Sequence, residues 1–298
     1  MKKWLQAARL RTLPLSLSGI IVGAGLVVCN SPDWIIFWLC IATATGFQVL
    51  SNFANDYGDF AKGTDNEDRI GPKRTMQAGL ISKKQMQIAM GITALISLIL
   101  GFYLSYLGTK LMETKFLILF ASLGTISVIA AIKYTVGKNA YGYSGFGDIF
   151  VFLFFGLVAV LGSSFLINKE INYSFILLAV SIGAFSVGVL NLNNMRDEQN
   201  DKANNKNTMV VKMGLVKAKV YHIVLLYFAM TLPLIYSFVN LKSYKQFLFI
   251  FAYVFIIKHL IFVLKNKENK KFDPELKKLA LSTFLFSILF LIGNLWAC

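Results

Sequence analysis

At 298 residues, with 56% hydrophobic content and a mean hydropathy of +0.61, the chain is too apolar for an ordinary soluble domain and reads as a membrane protein. The net charge of +15 raises nucleic acid as a partner, but the Lys and Arg residues flank apolar segments and gather on no single soluble face, so none is expected. The cysteines Cys29, Cys40 and Cys298 have no metal-ligand spacing.

A helix needs about 20 residues to cross the hydrocarbon. Nine stretches qualify, roughly 13–29, 34–53, 86–108, 116–132, 149–167, 173–192, 220–239, 247–264 and 279–296. The first is flanked by Lys2, Lys3, Arg9 and Arg11, as a signal peptide would be, but it lacks a small-residue cleavage site and is expected to be a retained helix. The second runs into an acidic cluster, NDYGDFAKGTD (Asn55 to Asp65). The loop before the fifth, KYTVGKNAYGYSGFGD (Lys133 to Asp148), is rich in Gly and Tyr, as an ordered loop near a ligand is. Its Asp148 is open to two readings, a charge on a helix N-terminus or a functional acid. The sixth stretch runs into a second acidic cluster, NNMRDEQND (Asn193 to Asp201). His222, at the start of the seventh, is expected to pack, and Lys258 and His259 in the eighth to snorkel. The run KNKENKKFDPELKK before the last stretch reads as a solvated basic loop facing lipid headgroups.

No linker divides the chain, so residues 1–298 are expected to form one all-α, polytopic membrane domain. Alternating connections carry Lys and Arg very unequally, 24 on the side of the N-terminus against five on the other. By the positive-inside rule the N-terminus and both acidic clusters face the cytoplasm, and an odd number of crossings puts Cys298 outside. Cys29 falls on that outer side as well, although nothing in the spacing supports a disulfide, and Cys40 reads as helix packing. The outer connections (30–33, 109–115, 168–172, 240–246) are short, whereas the inner ones after the second and sixth stretches (54–85, 193–219) are long. Each long one opens on an acidic cluster, which suggests two related halves with a site between them.

Only fifteen Asp and Glu occur in the sequence, and Asp56, Asp59, Asp65, Glu67, Asp68, Asp197, Glu198 and Asp201 fall in or beside the two clusters, with Asp273 an outlier. Residues three or four apart share a helix face. Asn193, Asp197 and Asp201 therefore align, as do Asn52, Asp56 and Asp59 with Asn55 adjacent, and Gly63 breaks the second row so that Asp65 can fold back. No His or Cys is interleaved, and hard oxygen donors of this kind suit Mg²⁺, which shares its coordination with phosphate oxygens. A run of charge is ordinarily a solvated helix end. Here the acids are a minority on a basic side, and the paired Asn residues enter the apolar segment, where polar groups are costly unless used.

Four segments carry a family resemblance: ARLRTLP (Ala8 to Pro14), SNFANDYGDFAKGTDNEDRIGPKR (Ser51 to Arg74), YTVGKNAYGYSGFGD (Tyr134 to Asp148) and NNMRDEQNDKANNKNTMVVKMG (Asn193 to Gly214). The chain resembles, over nearly its full length, the UbiA superfamily of intramembrane aromatic prenyltransferases, and within it the menaquinone-pathway branch. That resemblance implies nine transmembrane helices around a central cavity and a Mg²⁺-dependent reaction of a polyprenyl diphosphate with 1,4-dihydroxy-2-naphthoate. CO₂ and diphosphate would be lost on the way to demethylmenaquinone. It further implies that Asn55, Asp56, Asp59, Asp65, Asp197 and Asp201 position the metal, with Asp59 and Asp197 central to catalysis. Lys62, Arg69, Arg196 and Lys206 would neutralise the leaving group, and Asn52, Asn193 and Asn194 would contact substrate. Arg74, Lys138 and Tyr141 would hold the acceptor, with Asp148 assisting proton removal. Alternatives are a superfamily member with another aromatic acceptor and a divalent-cation transporter, although the latter would place acids near the midplane and on both sides. A CDP-alcohol phosphotransferase would need a continuous acidic motif with DG and AR elements, which the chain lacks.

Overall fold

In the computed structural model, which describes residues 1–67 and 69–298 and leaves Asp68 outside, nine spans are long and apolar enough to cross a bilayer among the described residues. The first comprises α1 (Lys2–Ala8), a 3₁₀ turn (Leu10–Thr12) and α2 (Leu13–Val27). Next come α3 (Trp34–Ala61), α4 (Lys83–Thr109) and α5 (Thr114–Lys133). The fifth span begins as α6 (Gly147–Val151), widens into a π-helical segment (Phe152–Gly162) and ends as α7 (Ser163–Asn168). The last four are α8 (Ile176–Ala203), α9 (Met209–Val239), α10 (Ile250–Lys265) and α11 (Asp273–Leu295).

Side-chain caps fix several starts by satisfying amides that have no partner within the helix. Asp33 accepts from the amides of Ile35 and Ile36 at the head of α3, Ser82 and Gln85 form a capping box on α4, and Thr208 accepts from Val211 on α9. Hydropathy placed the spans but misjudged their ends. Helix α3 continues to Ala61 and α8 to Ala203, while α9 already starts at Met209, so the long inner connection expected over 193–219 shrinks to residues 204–208. Its polar residues are helical because their side chains turn into the bundle and meet partners there. Of this pair of connections, residues 62–82 alone remain long.

Helix α8 is the pillar of the fold. The apolar window of its span is 72% buried, and it packs on α9, the fifth span, α11 and α2. Small residues permit the close approach: a Cβ on Gly156 of the π segment would lie 2.7 Å from Cα of Gly183 on α8. Phe185, Phe249, Phe286 and Phe290 fill the core between α8, α10 and α11, and a second cluster with Leu50, Phe53 and Met86 joins α1, α3 and α4.

Three expectations change. His259 does not snorkel but is buried, with Nε2 2.9 Å from His222 Nε2 and Nδ1 2.7 Å from Glu275, because α9 and α11 supply polar partners inside the bundle. The basic run before the last span is not all solvated loop, since α11 starts within it and Phe272 and Glu275 are buried. Cys29 and Cys298 are joined by a disulfide, which ties the end of the first span to the chain terminus at the end remote from the acidic clusters. Sequence spacing is uninformative there, because the pairing follows from α2 packing along α11. A maleimide is therefore expected to label one cysteine, Cys40, in protein denatured without reductant and all three after reduction. Three labels without reductant would contradict the pairing.

Candidate active site

The C-terminal end of α3 presents Asn52, Asn55, Asp56 and Asp59, and that of α8 presents Asn193, Asn194, Arg196, Asp197 and Asp201. Beyond Ala61 the chain reverses at Gly63, whose φ of +74° would strain a residue with a Cβ. The amides of Thr64 and Asp65 then return to the Asp59 carbonyl at 3.0 and 3.5 Å, and Asp65 folds back beside Asp59. Asn200 Nδ2 of α8 donates to the Thr64 carbonyl at 3.0 Å, which joins the two clusters.

Tyr143 is the hub between them. Its hydroxyl donates to Asp59 Oδ1 at 2.7 Å and meets Thr64 Oγ1 at 2.7 Å, while Lys62 Nζ lies 3.7 Å and Lys206 Nζ 5.3 Å from its ring centroid. Burial and the neighbouring Asp59 charge push the phenol well above its usual range, so it stays a donor. Burial pulls Lys206 down, but Asp59 and Asp201 outweigh it and hold the ammonium charged. Burial, and then the Asp59 charge, raise Asp65 to about 7 against the opposing pull of Arg69 and Arg9.

Guanidinium groups face the acids of the first cluster. Arg69 Nε lies 3.1 Å from Asp65, and Arg74 reaches Asp65, Asp59 and Asp56 at 3.5, 3.6 and 3.9 Å. Arg9 lies 3.7 Å from Asp56. It sits at the break between α1 and the 3₁₀ turn in a left-handed conformation (φ 48°), a break anchored by Asn52 Nδ2 donating to the Ala8 carbonyl at 2.8 Å and to Thr12 at 3.0 Å. Several atoms at this junction are buried yet lack a hydrogen-bond partner: Asp56 Oδ1, Asp65 Oδ2, Asp201 Oδ2, Arg9 Nη2, and Arg74 Nε and Nη1. Groups so placed are costly without a ligand. Acids and cations meet here at 3.5–3.9 Å, paired as ions without a hydrogen bond, so each keeps capacity for a ligand.

Among the described residues no three His, Cys, Asp or Glu side chains converge closely enough to enclose a metal. The open oxygens nevertheless fit Mg²⁺, which typically takes one or two carboxylates and completes its shell with water and substrate phosphates. Asp56, Asp65 and Asp201 each have a buried oxygen that no hydrogen bond claims. Asp197 is committed differently, since Arg196 Nε and Nη2 bind its two oxygens at 2.8 and 2.6 Å.

Below the charged groups a cavity of about 430 Å³ runs into the bundle. Of the expected residues, Asn52, Asn55, Asp59, Arg69, Arg74 and Tyr141 line it from the first half, and Asn193, Asn194, Arg196 and Lys206 from the second. Phe47, Phe120 and Phe154 wall its apolar depth. Tyr141 stacks on Phe150 at 3.9 Å and donates to the Ala130 carbonyl, which makes it a wall residue. Seven expected residues are not in its lining: Asp56, Lys62, Asp65, Asp197 and Asp201 belong to the charged junction beside it, and two, Lys138 and Asp148, lie away from both. Lys138 is exposed on the turn that follows Gly137 (φ 95°), away from the cavity. Asp148 is buried off the cavity, where Tyr221 of α9 donates to it at 3.1 Å. Sequence reasoning missed Tyr143, Thr75, which donates to Asp56, and the outlier Asp273, which meets Arg196 at 2.6 Å. Arg9 and Arg11 read only as topology charges, although both line the cavity and lie in the first of the segments that carry the family resemblance.

Residues 16–292 match the model of the UbiA prenyltransferase family. The chain belongs to that family. It is 39% identical over 298 residues to 1,4-dihydroxy-2-naphthoate octaprenyltransferase of Haemophilus influenzae, covering 99% of this chain and 96% of that one. Its identity to the Escherichia coli protein of the same name is 38%, over 97% and 94% of the two chains. A solved structure concerned with digeranylgeranylglyceryl phosphate synthase in membranes superposes with a TM-score of 0.63 at 17% identity, covering 99% of this chain and 98% of that one, so the fold is shared. The protein is thus a multi-pass membrane prenyltransferase, and the charged junction above its apolar cavity is the candidate site of prenyl transfer.

Proposed function

We propose that the protein transfers a polyprenyl group from its diphosphate to 1,4-dihydroxy-2-naphthoate, as one domain of the cell (inner) membrane with its N-terminus and acidic end in the cytoplasm and Cys298 outside. The observation that carries the reading is a buried junction of carboxylates and guanidinium groups that meet as ion pairs without hydrogen-bonding, from which Asp59, Arg9, Arg69 and Arg74 line a cavity that continues between aromatic side chains. A ligand that combines a metal cation with a polyanion offers partners to both sets, and a prenyl diphosphate adds an apolar tail that suits the aromatic cavity. The names of the relatives support the acceptor.

Each group then has a task. Asp56, Asp59, Asp65 and Asp201 would hold Mg²⁺, with Asn55 beside them, and Asp197 orients Arg196. When bound, the metal supplies Lewis-acid stabilisation of the departing diphosphate. Arg9, Arg69, Arg74 and Lys206 neutralise the charge that develops on the leaving oxygen. As the C–O bond breaks, the allylic carbon becomes cationic, and Phe47, Phe120 and Phe154 keep water away while offering aromatic faces. The ring carbon bearing the acceptor's carboxylate bonds to that carbon. Loss of CO₂ returns its bonding electrons to the ring and leaves the hydroquinone form of demethylmenaquinone. Replacing a carboxylate takes no ring proton away, which agrees with Asp148 lying off the cavity.

Purified protein incubated with Mg²⁺, a prenyl diphosphate and a panel of aromatic acids is expected to release CO₂ and prenylate the naphthoate. Prenylation of 4-hydroxybenzoate and not of the naphthoate would overturn the acceptor assignment.

A further inference from the structure

The first span reaches the site by breaking. Arg9 and Arg11 both line the cavity, yet on an unbroken α-helix residues two apart do not share a face. The break is what brings both there. Arg9 takes the left-handed conformation (φ 48°, ψ 59°), which a residue with a Cβ keeps only where its surroundings hold it, and the 3₁₀ turn over Leu10–Thr12 follows.

Three side chains hold that break. A continuous helix would send the Thr12 amide to the Ala8 carbonyl, but the amide bonds the Arg9 carbonyl at 2.8 Å instead. Asn52 of α3 takes its place: Nδ2 donates to the Ala8 carbonyl at 2.8 Å and to Thr12 Oγ1 at 3.0 Å. The Thr12 hydroxyl donates in turn to the Arg9 carbonyl at 2.9 Å, and Gln48 Nε2 donates to Thr12 Oγ1 at 3.2 Å and to Asn52 Oδ1 at 3.3 Å. Asn52 is 2% exposed, and each of its side-chain polar atoms already has a partner within the protein.

Arg9 depends on this bracket because nothing fixes its head. Among the described residues its guanidinium makes no hydrogen bond, Nη2 being buried 3.7 Å from Asp56 without one. Backbone conformation therefore aims it. We propose that Asn52 is a positioning residue: through Thr12 and the Ala8 carbonyl it holds the break that directs Arg9 at the donor's diphosphate, in place of the substrate contact expected from its position in the sequence. The inference rests on the prenyl-transfer reading.

The test uses purified full-length protein with Mg²⁺, a prenyl diphosphate and the naphthoate, and reads kcat/KM for the donor together with inhibition by inorganic diphosphate. Asn52→Leu, similar in size and without hydrogen bonds, is expected to lower kcat/KM about 10–100-fold, the scale of a small misplacement in a site. It should weaken diphosphate inhibition while KM for the acceptor holds. Arg9→Met is expected to cost about 10²–10³-fold, and adding Asn52→Leu to it to cost less than about twofold more, because the contact being aimed is already gone. Thr12→Val should repeat the Asn52→Leu loss and Thr12→Ser, which keeps the hydroxyl, should recover most of it, so the role is decided even where Asn52→Leu does not fold. Full activity in Asn52→Leu, Thr12→Val or Arg9→Met, or the same fold loss from Asn52→Leu with and without Arg9, overturns the positioning role. Wild-type protein that prenylates no aromatic acid overturns the prenyl-transfer reading instead.

Discussion

Asp59→Asn is expected to lower kcat by about 10²–10³-fold, the usual consequence of removing one preorganised electrostatic contact to a developing charge, while the protein still inserts and unfolds like wild type. Asp59 is the first-cluster acid that both lines the cavity and faces cations and a donor at once, with Arg74 at 3.6 Å and Tyr143 at 2.7 Å. Asparagine preserves shape, keeps a carbonyl oxygen for the Tyr143 hydroxyl and leaves untouched the backbone carbonyl on which Thr64 and Asp65 turn. Charge alone is lost. The apparent Mg²⁺ requirement should therefore rise together with the fall in rate, because a neutral amide competes poorly for a hard divalent cation. Initial rates over a Mg²⁺ titration, paired with thermal unfolding in detergent, check both halves. Full activity at wild-type Mg²⁺ would remove Asp59 from the site.

The contrast between the two clusters shows what a sequence can and cannot disclose. Helical spacing is local, so the alignment of Asn52, Asp56 and Asp59, and the return of Asp65 after Gly63, follow from residue order alone. Hydropathy located nine spans for the same reason. Partners across spans are not local. Tyr143 and Tyr141 look alike in a Gly- and Tyr-rich loop, and only the fold decides that one donates to Asp59 and the other walls the cavity. Asp273 stood alone in the chain because its partner, Arg196, is 77 residues away. Lys138 and Asp148 lie off the cavity for the opposite reason: composition near a ligand-like loop made them attractive, but side-chain direction sends one to solvent and the other to Tyr221.

Arg196→Met is expected to destabilise the protein by about 3–5 kcal/mol, the cost of stripping the partner from a buried charge. Arg196 is the largest of the fully buried side chains, at 1% exposure, and its guanidinium is spent in several directions. Two contacts go to Asp197, one to Asn193 at 2.9 Å and one to Asp273 of α11 at 2.6 Å. Methionine fills similar space yet leaves Asp197 buried and unpaired, and α8 loses its bond to α11. Arg196→Lys keeps a charge but replaces a planar fork by a point donor that cannot span both carboxylates, so its loss should fall between wild type and Met. Asp273, whose side chain is 33% exposed, can recover water, and Asp273→Asn should cost about 1 kcal/mol or less. The decisive combination is Arg196→Met with Asp197→Asn. If uncompensated charge is the cause, neutralising the acid restores most of the unfolding temperature in detergent even though activity stays lost. If stability does not return, packing around α8 carries the effect and the electrostatic account of this trio is wrong.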